Sequence, residues 1–201
     1  DGTLWVWGFN LNQQLGINSI ITQTCTPVTT FAGGTNWKQV ACGRNHTVSI
    51  KTDGTLWTWG NNAYGQVGNN TATNRSTPVT TFAGGTNWKQ VACGTNHTLA
   101  IKTDGTLWSW GRNYRGGLGI NDQVNKSTPV TTFLGGTNWK QVSGGYNYSA
   151  AIKTDGTLWA WGYNSYGQIG DNTVLTQRWT PVTTFAGGTD WKQVACGGGA
   201  T

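Results

Sequence analysis

The chain has 201 residues, of which 31 are glycine and 13 tryptophan, with no methionine and no glutamate. So much glycine and aromatic residue, with so little that favours helix, excludes a helical protein and points to an all-β chain with many turns. No run approaches the roughly eighteen apolar residues of a membrane span, no signal peptide is visible, and a net charge of +6 on a chain only 10% charged is a mild basic bias rather than a polybasic tail; no membrane insertion is expected, and nucleic acid is an unfavoured partner.

In chain order, DGTLW begins at Asp1, Asp53, Asp104 and Asp155, at spacings of 52, 51 and 51, and TPVTTF follows at 26–31, 77–82, 128–133 and 180–185. A period near fifty, with no sustained helical pattern, is that of a propeller blade, a solenoid turn or an array, and divides the chain into units of about 1–52, 53–103, 104–154 and 155–201. The chain opens on a strand of type C. A complete set follows the second DGTLW: strand A is WKQVACG (88–94), strand B is HTLAIKT (97–103), strand C is TLWSWG (106–111) and strand D is TPVTTF (128–133). In strand B, His97, Leu99 and Ile101 alternate with Thr98, Ala100 and Lys102, and an Asp-Gly pair turns B into C. Thr201 falls just inside another B strand. Four antiparallel strands per fifty residues predict a β-propeller blade. The two ends could complete one blade and close a four-bladed ring, but an ending inside a strand favours an arc of a larger one.

These residues resemble a known family. DGTLWTWGNNAYGQVG, then RSTPV, then W-x-x-V-A-C-G-x-x-H-T-x-A-I are similar to the repeat of the regulator of chromosome condensation family, in four copies over the whole chain. The resemblance implies a propeller that usually has seven blades, so this chain would be part of the larger ring. One member class exchanges nucleotide on a small GTPase and docks on nucleosomes; no residue here is singled out for either. The plant UV-B photoreceptor class carries a Trp-Arg pair before HT. The segments here read RNHT and TNHT, which counts against light sensing.

Comparing the repeats separates scaffold from site. Twelve tryptophans recur, two in each LWxW and one before each KQV, as do Phe31, Phe82, Phe133 and Phe185; all are expected in the blade core. Cys42, Cys93 and Cys196 share one repeat position, and with Cys25 they show no CxxC pair, so buried small residues are expected rather than a disulfide or a metal site. His46 and His97 share a position that Tyr148 and Ala200 fill in the other units, which suits a packing residue better than a ligand or a base. The repeated aspartates precede glycine in turns, where Asp accepts from its own backbone. With no paired carboxylates and no phosphate-binding glycine motif, neither an enzyme nor a cofactor or metal is expected.

In an up-and-down blade the A–B and C–D connections emerge on one face of the disc and the B–C and D–A connections on the other. The B–C turns read KTDGT three times, and the D–A turns read FAGGTN with only FLGGTN and FAGGTD as variants. The opposite face varies. In or beside its loops lie the candidate partner-binding residues Phe9, Arg44, Tyr64, Arg75, Arg112, Tyr114, Arg115, Tyr146, Tyr163, Tyr166, Arg178 and Trp179. Unselected drift is the alternative, but drift does not favour the residue types that dominate interfaces. Five arginines and Lys126 against Asp122 and Asp171 leave this face at +4; seven lysines against five aspartates leave the remainder at +2. The expectation is a non-enzymatic module that presents its A–B and C–D loops to a protein or glycan partner, acidic in character, on a bacterial or viral surface. Two alternatives stand beside it: a structural component of a virion or appendage assembling through its repeats, and a chromatin-associated, nucleic-acid-associated or GTPase-regulating propeller.

Overall fold

The computed structural model describes residues 1–197, and among them every regular element is a strand. The chain opens with a half-blade, β1 (Trp5–Phe9) paired with β2 (Gln23–Thr29). Three four-stranded antiparallel blades follow. The first is β3 (Trp37–Cys42), β4 (His46–Lys51), β5 (Leu56–Gly60) and β6 (Arg75–Thr80). The second is β7 (Trp88–Cys93), β8 (His97–Lys102), β9 (Leu107–Gly111) and β10 (Lys126–Thr131). The third is β11 (Trp139–Gly144), β12 (Tyr148–Lys153), β13 (Leu158–Gly162) and β14 (Arg178–Thr183). Each blade therefore takes its A and B strands from one sequence unit and its C and D strands from the next.

The strands form because β-branched and apolar residues alternate along them, and both faces of the B strands are buried because the first two full blades lie between neighbouring sheets and the third lies between the second blade and the segment 191–196. Val48, Ile50 and Leu56 of the first blade meet Trp88, Val91, Ala100 and Trp110 of the second; Leu99, Ile101 and Leu107 meet Trp139, Val142, Ala151 and Trp161 of the third. A strands of successive blades lie side by side, and Gln39 ties two of them by exchanging hydrogen bonds with the backbone of Val91, both at 3.2 Å.

The repeated B–C turn explains its own sequence. The carboxylate of Asp104 accepts from the amide and the hydroxyl of Thr106, at 2.9 and 2.7 Å, and these bonds hold its pKa below the ordinary value. Gly105 has a φ of +80°, and a Cβ there would lie 2.0 Å from the carbonyl oxygen of Thr137 in the neighbouring D–A turn. Its own carbonyl accepts from the amide of Trp139 at 3.1 Å. Gly135 has a φ of +61° but open space around it. Gly105→Ala is therefore expected to cost at least about 2 kcal/mol and Gly135→Ala only about 1; equal shifts of the two urea midpoints would refute the steric account. The D–A turn is closed by the repeated tryptophan: the indole nitrogens of Trp37, Trp88 and Trp139 each donate to the carbonyl of the glycine four residues earlier, at 2.8 Å.

Four expectations change. The D strands run two residues earlier than TPVTTF, because a bulge between Lys126 and Val130 shifts their pairing with the C strands. Thr132 then turns inward, and Phe133, expected in the core, is 63% exposed; Phe31, Phe82 and Phe185 are exposed likewise. Trp191–Cys196, expected as an A strand, makes no strand pairing and is held by side chains of the third blade: Gln141 accepts from the amide of Val194 at 3.1 Å and Ser143 from that of Cys196 at 2.9 Å. The expected position of Ala200 in a B strand lies outside the described residues. Finally, the four cysteines are all free thiols, with Cys25 and Cys42 exposed rather than buried.

The described arc does not close on itself. Trp59, Trp110 and Trp161 are each buried under the C–D loop of the preceding unit, with Gly16, Gly68 and Gly119 against their rings. Trp7 holds the same repeat position and is 60% exposed, and Gly170 meets no indole ring. A four-bladed ring would have joined these two, so the blades form part of a larger propeller.

Candidate partner-binding face

Backbone hydrogen bonds assign the connections to two faces. The amides of Asn61, Arg112 and Tyr163, which open the C–D loops, donate to the carbonyls of Asn45, Asn96 and Asn147 in the A–B turns, at 2.7, 2.9 and 3.0 Å. Thr52 and Thr103, entering the B–C turns, donate to Asn36 and Asn87 of the D–A turns at 2.8 Å. Diverse connections thus share one face and uniform ones the other. The uniform face carries Lys51, Lys102 and Lys153, each with its ammonium 4.4–4.8 Å from two tryptophan rings.

The C–D loops are diverse only on the outside. Each follows a W-G-x-N sequence, and the asparagine, Asn10, Asn62, Asn113 or Asn164, is buried. In the second blade its side-chain oxygen accepts from the amide of Leu118 at 3.0 Å while its nitrogen donates to the carbonyl of Asp122 at 2.8 Å. The same brace holds Leu15, Val67 and Ile169 in the other loops. Behind it the loop folds back between blades: the carbonyl of Gln66 accepts from the indole of Trp110 and the hydroxyl of Thr98, both at 2.9 Å. Sequence reasoning missed these asparagines. Their signal was present, a polar residue at one fixed distance after Trp-Gly in all four units, but position in a loop concealed it. Their effect is to hold variable side chains on a rigid base.

Of the twelve candidate residues, six join. The guanidinium of Arg112 sits 4.8 Å from the ring of Tyr64 and 4.7 Å from that of Tyr114. Arg115 sits 4.4 Å from Tyr114 and 5.2 Å from Tyr163, whose ring meets Tyr166 edge-on at 6.1 Å. This ladder crosses three successive C–D loops. Trp179 stands beside it, against Gly116, where a Cβ would come within 2.8 Å of the indole.

The other five, Phe9, Arg44, Arg75, Tyr146 and Arg178, lie outside the ladder. Arg178 and Trp179 begin β14 and Arg75 begins β6, so they belong to strand ends rather than to loops, and Phe9 is the last residue of β1. Arg178 is paired with Asp171 at 2.5 Å, as Lys126 is with Asp122 at 2.9 Å. Arg75 faces the side-chain amide of Asn69, and with that amide turned to present its oxygen it donates at 2.7 and 3.0 Å. Arg44 and Tyr146 border a hollow of about 640 Å³ that the A strands line together with Cys42, Cys93 and Cys196. Burial pushes the thiol of Cys93 well above its ordinary pKa and raises that of Cys196, so both are neutral in this hollow. Phe9 and Arg44 line a second depression between the half-blade and the first full blade. Among the described residues no three His, Cys, Asp or Glu side chains gather as a metal site. His46 and His97 are buried and bridge blades, with Nε2 3.0 Å from the hydroxyl of Thr98 and 2.9 Å from that of Ser149.

Known proteins share this architecture. The plant ultraviolet-B receptor UVR8 of Arabidopsis thaliana is 33% identical over 199 residues, covering 98% of this chain and 45% of the receptor. The X-linked retinitis pigmentosa GTPase regulator of Canis lupus familiaris is 37% identical over 134 residues, 65% of this chain and 13% of the regulator. The crystal structure of human WBSCR16 superposes with a TM-score of 0.83 at 25% identity, covering 98% of this chain and 52% of that one. The chain spans less than half the length of the two sequence relatives. The model of the RCC1-like domain matches residues 1–201, and with blades built as described, the chain belongs to the RCC1-like domain family.

Proposed function

We propose that this chain is a protein-binding module whose partner docks on the face bearing the A–B and C–D loops. The observation that carries the reading is the Tyr–Arg ladder with Trp179 at its side: the side chains that most often anchor protein interfaces, gathered over three loops on a base made rigid by buried asparagines. A fold alone does not specify function, and the assignment rests on these residues. Arg44 and Tyr146 extend the face toward the hollow lined by the A strands, and Phe9 toward the second depression. A second reading has the relatives behind it: the similarity to a GTPase regulator makes a small GTPase the first specific protein to test. These relatives lend no support to a glycan ligand or to placement on a virion or cell surface.

The test is affinity capture with paired variants. Replacing Arg112, Tyr114, Arg115 and Trp179 with Ala should abolish retention of the captured protein and leave a cooperative urea transition, since Tyr114 and Trp179 are exposed and Arg112 and Arg115 are half-buried on the loop surface, outside the blade core. Replacing Lys51, Lys102 and Lys153 with Met alters the opposite face and should leave capture intact. The reverse pattern would sink the proposal.

A further inference from the structure

The ladder has features that the fold does not require. At each joint between successive C–D loops, the third residue after Trp-Gly-x meets the x residue of the next unit. In the first joint this is Asn12 with Asn61, whose amides hydrogen-bond at 3.1 Å. In the second it is Tyr64 with Arg112, and in the third Arg115 with Tyr163. A neutral amide pair can therefore make the joint. Tyr114 then links the two later joints by taking both guanidinium groups, at 4.7 and 4.4 Å.

The charge in this strip is not neutralised. Both nearby carboxylates are engaged, Asp122 by Lys126 and Asp171 by Arg178, and among the described residues no carboxylate lies within salt-bridge distance of Arg112 or Arg115. The Nε of Arg115 is buried without a hydrogen-bond partner. Contact with the tyrosine rings holds each guanidinium in place, and no acceptor among the described residues takes its N–H groups, an arrangement suited to a planar, two-pronged acceptor.

We infer that the strip from Tyr64 to Tyr166 receives an acidic segment of the partner protein, with carboxylates taken up by Arg112 and Arg115. The inference rests on the protein-binding reading above and narrows it to a chemistry. Nucleic acid fits less well. Tyr114 already carries two guanidinium groups, which compete with a base for its ring, and seven of the eight lysines occupy repeated A and B positions rather than the strip. The arginines also resist exchange: lysine would keep the charge but lose both the stacking and the fork.

Fluorescence anisotropy with a labelled dodecamer of glutamate, compared with a labelled dodecamer of thymidylate, tests this on the 201-residue chain. The glutamate peptide should bind and the thymidylate strand should bind more weakly at the same salt. Arg112→Gln with Arg115→Gln should weaken the peptide about tenfold or more, and the Lys pair at these positions should fall between, while Lys51→Met with Lys102→Met should change nothing. The inference is overturned if the peptide does not bind, if the Gln pair binds it as well as the parent, or if thymidylate binds more tightly. Should the peptide fail while the four-residue Ala variant still loses the captured protein, the face stands and only its acidic specificity falls. Capture through the opposite face would remove both.

Discussion

Trp110→Ala lowers the free energy of unfolding by about 3–5 kcal/mol, whereas Trp179→Ala changes it by less than about 1. Trp110 is fully buried at the joint of the first and second full blades, edge-on to Trp88 at 6.2 Å and packed with Val48, Ile50 and Ala100. Its ring lies against Gly68, where a Cβ would come within 2.6 Å of the indole nitrogen, so the ring fills the space beneath the loop. The carbonyl of Gln66 loses the indole donor but keeps the Thr98 hydroxyl, so the cost is chiefly that of the cavity. Trp179, in the rim, is 43% exposed and leaves no cavity when truncated. Urea titrations of the two variants check the contrast; similar losses would show that the blade joint is not where stability resides.

Lowering the pH from 7 to 5 should remove about 2 kcal/mol of stability for each of His46 and His97, about 4 in total. Burial is the main cause of their depressed pKa values, about 3 for His46, where the neighbouring His97 adds to it, and about 4 for His97. The hydroxyls of Thr98 and Ser149 donate to the carbonyls of Gln66 and Gly117, so their oxygens accept from the imidazoles, which are neutral with the proton on Nε2. A second proton on His46 would occupy Nδ1, which is buried without a partner. Because the folded values lie below the unfolded value near 6.5, the stabilisation is complete above that pH and declines as pH falls toward the folded values. Asp53, Asp104, Asp122, Asp155 and Asp171 do not contribute in this window: their pKa values lie below the ordinary one. Gln at both positions can keep a donor where Nε2 stands and cannot titrate, so it should flatten the dependence. A pH-dependent midpoint that survives the double replacement would assign the effect elsewhere.

The two histidines show what was legible beforehand. Their replacement by Tyr148 in another unit marked them as packing residues, and the structure places Tyr148 in the same role, its hydroxyl accepting from the amide of Gly197 at 3.0 Å. The division of the connections into a uniform and a diverse face was legible for the same reason, since turns that every blade must make alike stay alike. The phenylalanines misled because repetition marks any shared structural demand, and a residue in a repeated turn can be both constant and exposed. The bracing asparagines misled in the opposite direction, being polar and in loops while buried.

The sequence by itself determined the blade: the strand order, the Asp-Gly turns, the tryptophans at fixed positions and the face on which variation collects. These depend on local contacts and on a period that can be counted. Only the tertiary structure decided which variable side chains act together. Tyr64 and Arg112 are neighbours because one blade's loop lies against the next, a proximity across a full repeat that no local pattern records. Salt bridges from loop aspartates occupy Arg178 and Lys126 at the strand ends and leave Arg112 and Arg115 available, and only placement in space could sort them.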